Sequence, residues 1–221
     1  MQRFTLLHDG NEQGWQATYL AFHFAAQLGA PLLVLLVDPT TDPKILARRA
    51  AQVEVGGRAA GVVIESRFVT DFSETIVAAN VSDTDGLFLP RRLIPDGKTA
   101  LRYLEALSCP IWVVSHEAKT YRMAVLVSDL TADEKLISFT AALSQRLQHP
   151  LIGLISDEDS ASTSQMDLIS TWITLPNFSH NDLAVALDQQ GIDLLVIPVS
   201  RSALIDTLAF NFVVYPDTKG V

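Results

Sequence analysis

The chain has 221 residues with 48% apolar and 19% charged side chains, enough apolar material for a sizeable core, which excludes a disordered chain. Its net charge of −9 repels phosphate backbones and anionic membrane surfaces and excludes a general nucleic-acid binder. The start through Asp9 lacks the apolar stretch of a signal peptide, residues 31–37 are too short a run to cross a bilayer, and the single cysteine, Cys109, cannot make an internal disulfide. The expectation is a soluble cytoplasmic protein with neither membrane nor nucleic acid as partner.

Residues 4–7 read as a short buried strand ending near Asp9, followed by a helical stretch whose apolar stripe is Trp15, Tyr19, Phe22 and Ala26. Apolar runs at 32–37, 62–68, 87–89 and 111–114 predict further strands, and Leu101, Leu104 and Leu107 predict a helix before the last of them. Strands without apolar–polar alternation suit a parallel sheet covered on both faces, built by right-handed crossovers. A polar linker follows at 116–120, and the pattern then starts again. Ala124-Val125-Leu126-Val127-Ser128-Asp129 repeats the first strand, and Leu147-Gln148-His149-Pro150-Leu151-Ile152 repeats Leu28-Gly29-Ala30-Pro31-Leu32-Leu33, both about 120 residues on. Asp193-Leu194-Leu195-Val196-Ile197-Pro198 answers Asp85-Gly86-Leu87-Phe88-Leu89-Pro90 at a shorter spacing, so the second half has lost residues. The stretch Ser156 to Ser164 is too short and too rich in Ser and Asp for a crossover helix and reads as a loop. That leaves apolar surface for another chain or for the first half, the ground for expecting a homo-oligomer or a tight interface between halves. The prediction is an α/β protein of two Rossmann-like units, residues 1–117 and 120–221, each an open parallel sheet with flanking helices, the second abbreviated.

The strand ending in Asp9, the helix closing on Gln27-Leu28-Gly29-Ala30 and the ending Cys109-Pro110-Ile111-Trp112-Val113-Val114 resemble the universal stress protein family in its tandem form. The resemblance implies the adenine nucleotide alpha hydrolase-like fold, with strand order 3-2-1-4-5 in each unit. Dimers of the family pair their last strands; in this chain the two last strands are expected to pair with each other as an intramolecular pseudo-dimer. Many members bind ATP through the aspartate after the first strand, the end of the second strand, and a loop G-x2-G-x9-G-S/T after the fourth. Glycines let such a loop crowd backbone N–H groups around phosphate, beside a helix N-terminus.

This chain breaks that loop twice. Pro90 and Leu93 stand at the first two glycines, only Ile94-Pro95-Asp96 separate them from Gly97-Lys98 at the close, and in the second half Pro198 and Arg201 stand at the same places. Proline has no N–H to offer. The candidate ligand contacts are Asp9, Gly10, Asn11, Val37, Arg91, Arg92, Gly97 and Lys98 in the first half and Asp129, Ser200 and Arg201 in the second. Each has a plainer reading: Asp9 and Asp129 as caps of the following helices, Asp96-Gly97 as a turn opening a helix, and Arg91-Arg92 as solvated loop arginines. The five histidines show no metal-ligand spacing, His8 points to the opposite face from Asp9, and Cys109 reads as a small core residue. The leading expectation is a non-enzymatic binding or interaction module with nucleotide binding lost or weakened and no resident cofactor. One alternative keeps ATP or AMP in the first half through Asp9, Val37, Arg91, Arg92 and Gly97; another is a small nucleotide hydrolase or transferase on the same fold.

Overall fold

Five apolar runs of the first half become strands: β1 (Phe4–His8), β2 (Leu32–Leu36), β3 (Ile64–Phe68), β4 (Gly86–Pro90) and β5 (Ile111–Val114). Helices α1 (Glu12–Leu28), α2 (Pro43–Ala59), α3 (Glu74–Asn80) and α4 (Gly97–Leu107) connect them. The second half supplies β6 (Met123–Val127), α5 (Glu134–Leu147), β7 (Leu151–Ser156), β8 (Thr171–Leu175), α6 (His180–Gln189), β9 (Leu194–Pro198), the one-turn α7 (Leu204–Thr207) and β10 (Phe212–Tyr215). The computed structural model describes residues 3–37, 42–81, 86–119, 121–156, 168–176 and 178–216. Asp85, the expected first residue of the fourth strand, and all but the first residue of the loop expected from Ser156 lie outside them.

Among the described residues ten strands form one sheet, in the order β3-β2-β1-β4-β5-β10-β9-β6-β7-β8. Each half thus has the 3-2-1-4-5 order, with every pairing inside a half parallel. The seam is antiparallel: β10 pairs with β5, Val213 opposite Trp112. β1, β2, β4 and β5 are buried throughout, as continuous apolar strands require, while the outermost β3 alternates between half-buried and exposed positions. One core layer lies between the sheet and α1, α2 and α5; the other lies under α3, α4, α6 and α7. Phe4, Phe24, Phe88 and Trp112 interlock in the first layer, Trp112 stacked on Phe88 at 4.7 Å. Phe139 of α5 meets Trp112 edge-on across the seam. Gly86 is what lets the indole lie against β4, since a side chain there would enter the ring.

The predicted stripe of α1 is corrected. Its buried face is built on Ala17, Ala21, Phe24, Ala25 and Leu28 along with Leu20 and Phe22, whereas Tyr19 is 56% exposed and Ala26 faces water. Small alanines let the helix approach β1 and β4 closely, so helical spacing of the larger side chains alone picked the wrong rotation. On α4 the buried face is Gly97, Ala100, Tyr103 and Leu104, with Leu101 and Leu107 only half-buried.

Candidate functional site

The strand order reverses direction between β1 and β4, the position at which open α/β sheets carry a ligand crevice beyond the carboxyl ends of their strands. Asp9 follows β1 directly and is only 4% exposed. It does not cap α1. The N-cap residue is Asn11, and the Asp9 carboxylate accepts the Asn11 N–H at 3.0 Å. Its other oxygen is ion-paired with Nε of Arg92. Gly14, in the first turn of α1, makes this possible, because a Cβ there would collide with the Asp9 carboxylate. Arg92 continues the clamp: Asn11, with its amide oxygen turned to the guanidinium, accepts from Nη1 at 2.8 Å, and the Arg92 N–H donates to Gln13 Oε1 at 3.1 Å. Gly10, at φ +76°, gives up its side-chain space to the guanidinium of Arg49 from α2. Val37 lies half-buried just after β2, its N–H reaching the His8 carbonyl at 3.4 Å.

Beneath this cup His8 is fully buried, its Nδ1 3.0 Å from Thr18 Oγ1 and 3.3 Å from the Gly14 carbonyl. Thr18 Oγ1 itself donates to Gly14 at 2.7 Å. A carbonyl only accepts, so the Nδ1–H tautomer of neutral His8 fits the site. Burial holds His8 below the ordinary histidine value of 6.5. His23, stacked at 3.7 Å on Tyr121 just before β6, is lowered too, by burial first and then by His149, which follows α5. A histidine whose folded value is lowered is fully accommodated above its unfolded value and destabilises the fold as pH falls through the lowered one. The thermal midpoint is therefore expected to drop as pH is taken below 6.5, and His23→Phe should flatten that drop in melts followed by circular dichroism.

Arg91 turns the other way from Arg92. Its guanidinium donates to the carbonyls of Ile94 and, across the seam, Ile205. Burial pulls it below its usual pKa, with the carboxylates of Asp206 and Asp96 pulling it back up. The reading of a solvated arginine pair is corrected for Arg91, which is half-buried in the contact between halves; Arg92 stays 46% exposed but closes on Asp9. Gly97 opens α4, and its N–H donates to Asp206 Oδ1 at 2.7 Å. A Cβ on Gly97 would sit 2.6 Å from the Ser202 carbonyl oxygen. Asp96 caps the helix, accepting the Thr99 N–H and hydroxyl at 2.7 and 2.8 Å, which holds its carboxyl below the usual range. Lys98 is exposed.

In the second half Asp129 is exposed and accepts the N–H groups of Thr131 and Ala132 at 2.7 and 3.0 Å, which lowers its pKa. This closes a turn one step before the helix. The N-cap residue of α5 is Asp133, whose carboxylate folds back onto the Ser128 and Asp129 N–H groups at 2.7 and 3.2 Å, correcting the cap assigned to Asp129. Ser200 is exposed within the one-turn 3-10 helix Val199–Arg201. Arg201 donates from Nε to Ser128 Oγ at 3.0 Å and lies 5.3 Å over the Phe178 ring. In both halves, then, a strand-ending proline leads into a one-turn 3-10 helix, Arg91–Leu93 or Val199–Arg201. In each, an arginine reaches back to the loop after the first strand.

The structure gathers Asp9, Gly10, Asn11, Val37 and Arg92 at one crevice, and Arg91 with Gly97 at the seam. Gln13, Gly14, Arg49 and Asp206 were not among the sequence candidates. Gly14, five residues after Asp9, was the one with a readable signal, a glycine early in a helix. Among the described residues no group of three or more His, Cys, Asp or Glu is placed to hold a metal ion, and no helix is long and apolar enough to cross a membrane.

No family model and no curated protein matches the chain. Solved structures do. A universal stress protein from Archaeoglobus fulgidus DSM 4304 superposes with a TM-score of 0.72 at 12% identity, over 97% of this chain and 98% of that one. A protein of unknown function from Pseudomonas aeruginosa PAO1 superposes with a TM-score of 0.70, also at 12% identity, over 98% and 93%. The chain has the universal stress protein fold in both halves.

Proposed function

We propose that the chain is a cytoplasmic, non-enzymatic universal stress-like interaction module in which contacts within the chain have replaced the nucleotide. The observation that carries this reading is the Gly97 amide. The N–H that would face phosphate at the N-terminus of α4 is donated instead to the Asp206 carboxylate, an anion supplied by the other half. Two further contacts support it. Arg92 occupies Asp9, the carboxylate otherwise free for a nucleoside, and Pro90 and Pro198 remove an N–H from the start of each loop.

Isothermal titration with magnesium-ATP and with AMP is expected to give no saturable heat up to millimolar ligand, and native mass spectrometry of the purified chain no retained nucleotide. Micromolar binding of either nucleotide, or a co-purifying adenylate, overturns the reading.

A further inference from the structure

β3 is an open edge: among the described residues its only strand neighbour is β2. Its ladder uses the Val63 carbonyl, which accepts from Leu32 at 2.9 Å, and the Val69 N–H, which donates to Leu36 at 3.0 Å. Backbone groups alternate sides along a strand, so the odd-numbered residues face β2 and Ile64, Ser66 and Phe68 turn their N–H and C=O groups outward. Open edges of this kind are templates for another strand unless something guards them.

The sequence of this edge is self-complementary. Set against its own reverse, Val63-Ile64-Glu65-Ser66-Arg67-Phe68-Val69 matches apolar with apolar, serine with serine and acid with base. An antiparallel second copy centred on Ser66 puts Ser66 opposite Ser66, Ile64 opposite Phe68, Glu65 opposite Arg67 and Val63 opposite Val69. The hydrogen-bonded pairs of that register are the residues whose backbone groups point outward. The charged pairs fall at the closer, non-hydrogen-bonded positions, where side chains interact most. Neighbouring registers that also satisfy the backbone are centred on Glu65 or on Arg67, and each sets like charges directly opposite. The Glu65 and Arg67 charges therefore do not guard the edge against self-pairing; they select one register.

Two features of the monomer fit such a cover. Val63 is 74% and Phe68 56% exposed, unusual for residues of their size. Glu65 and Arg67 are paired within the strand at 2.7 Å and about half-exposed; Glu65 also meets Arg3 at 3.7 Å and Arg67 donates to the Asn80 carbonyl at 3.2 Å, so pairing across the axis exchanges the partner within the strand for the same partner in the second copy.

We propose that two copies of this chain associate about a two-fold axis through antiparallel β3 edges, joining their sheets into one. The interface is isologous and closes on itself, and its short strands make association concentration-dependent. It lies on the outer strand rather than at the β1–β4 crevice, so its failure would leave the nucleotide reading untouched.

Sedimentation velocity from micromolar to submillimolar protein tests it. The wild-type chain is expected to shift from one to two chains. Glu65→Arg and Arg67→Glu should each weaken dimerisation at least tenfold, while an equimolar mixture of the two, and the double reversal in one chain, should restore it. Ser66→Pro removes an outward N–H without touching the ladder to β2, so it should give a monomer of unchanged circular dichroism, and it keeps the test decisive if a reversal unfolds. A wild-type chain that stays monomeric, a dimer indifferent to the single reversals, or a mass that grows beyond two chains overturns the proposal.

Discussion

Gly97→Ala is expected to lower the unfolding free energy by about 2–3 kcal/mol, read as a shift of the urea midpoint at unchanged slope. The reason is local and rigid. The added methyl would sit 2.6 Å from the Ser202 carbonyl oxygen and 2.8 Å from its carbon, and both are backbone atoms that no rotamer change can move. To accept it, the 202–206 segment must back away from α4. That weakens the 2.7 Å bond from the Gly97 N–H to Asp206 and the donation from Arg91 to the Ile205 carbonyl. Asp206→Ala removes only the carboxylate and should cost about 1–2 kcal/mol, a charge-assisted bond at a half-exposed place. The two effects should fall short of additive, because each loosens the same contact. A glycine kept here for phosphate alone would give the opposite result, a Gly97→Ala chain of nearly unchanged stability.

The second large effect is at Arg92. Arg92→Ala leaves the Asp9 carboxylate, 3% exposed at its side chain, with the Asn11 N–H and no guanidinium, and stability should fall by about 2 kcal/mol. The figure is set below that of a fully buried pair because the Arg92 side chain is 46% exposed and water can follow it out. Asp9→Asn in the same chain removes the stranded charge and should recover part of the loss. A double-mutant cycle by urea denaturation is therefore expected to show a coupling of about 1 kcal/mol or more between positions 9 and 92. Coupling near zero would mean that Arg92 does not hold Asp9 in solution, and the crevice would then be open to a ligand.

Both residues show how far the sequence reaches. The strand-ending prolines, Pro90 and Pro198, could be read directly, since a residue without an N–H cannot join a phosphate cradle wherever the fold puts it. The destinations of Arg91 and Arg92 could not. Adjacent in sequence, they part company, one toward Asp9 and one toward Ile205, because the 3-10 helix that contains them separates their side chains. The carboxylate at the Gly97 amide lies 109 residues away. No spacing rule connects positions brought together only by the pairing of β5 with β10. The stripe of α1 failed for a related reason: Trp15 and Tyr19 look like core residues by type, but the sheet accepts the small Ala17, Ala21 and Ala25 at closest approach and turns Tyr19 outward.

What the sequence by itself determined was the apolar character of the inner strands, the repetition of the pattern in two halves and the loss of the glycines after the fourth strands. Those properties are local: a strand buried on both faces must be continuously apolar, and a proline lacks its donor in any surroundings. Only the tertiary structure decided what stands where a nucleotide would lie, namely Arg92 on Asp9 and Asp206 on the N-terminus of α4. Those contacts are formed between distant segments, and their geometry exists only once the sheet has set the two halves side by side.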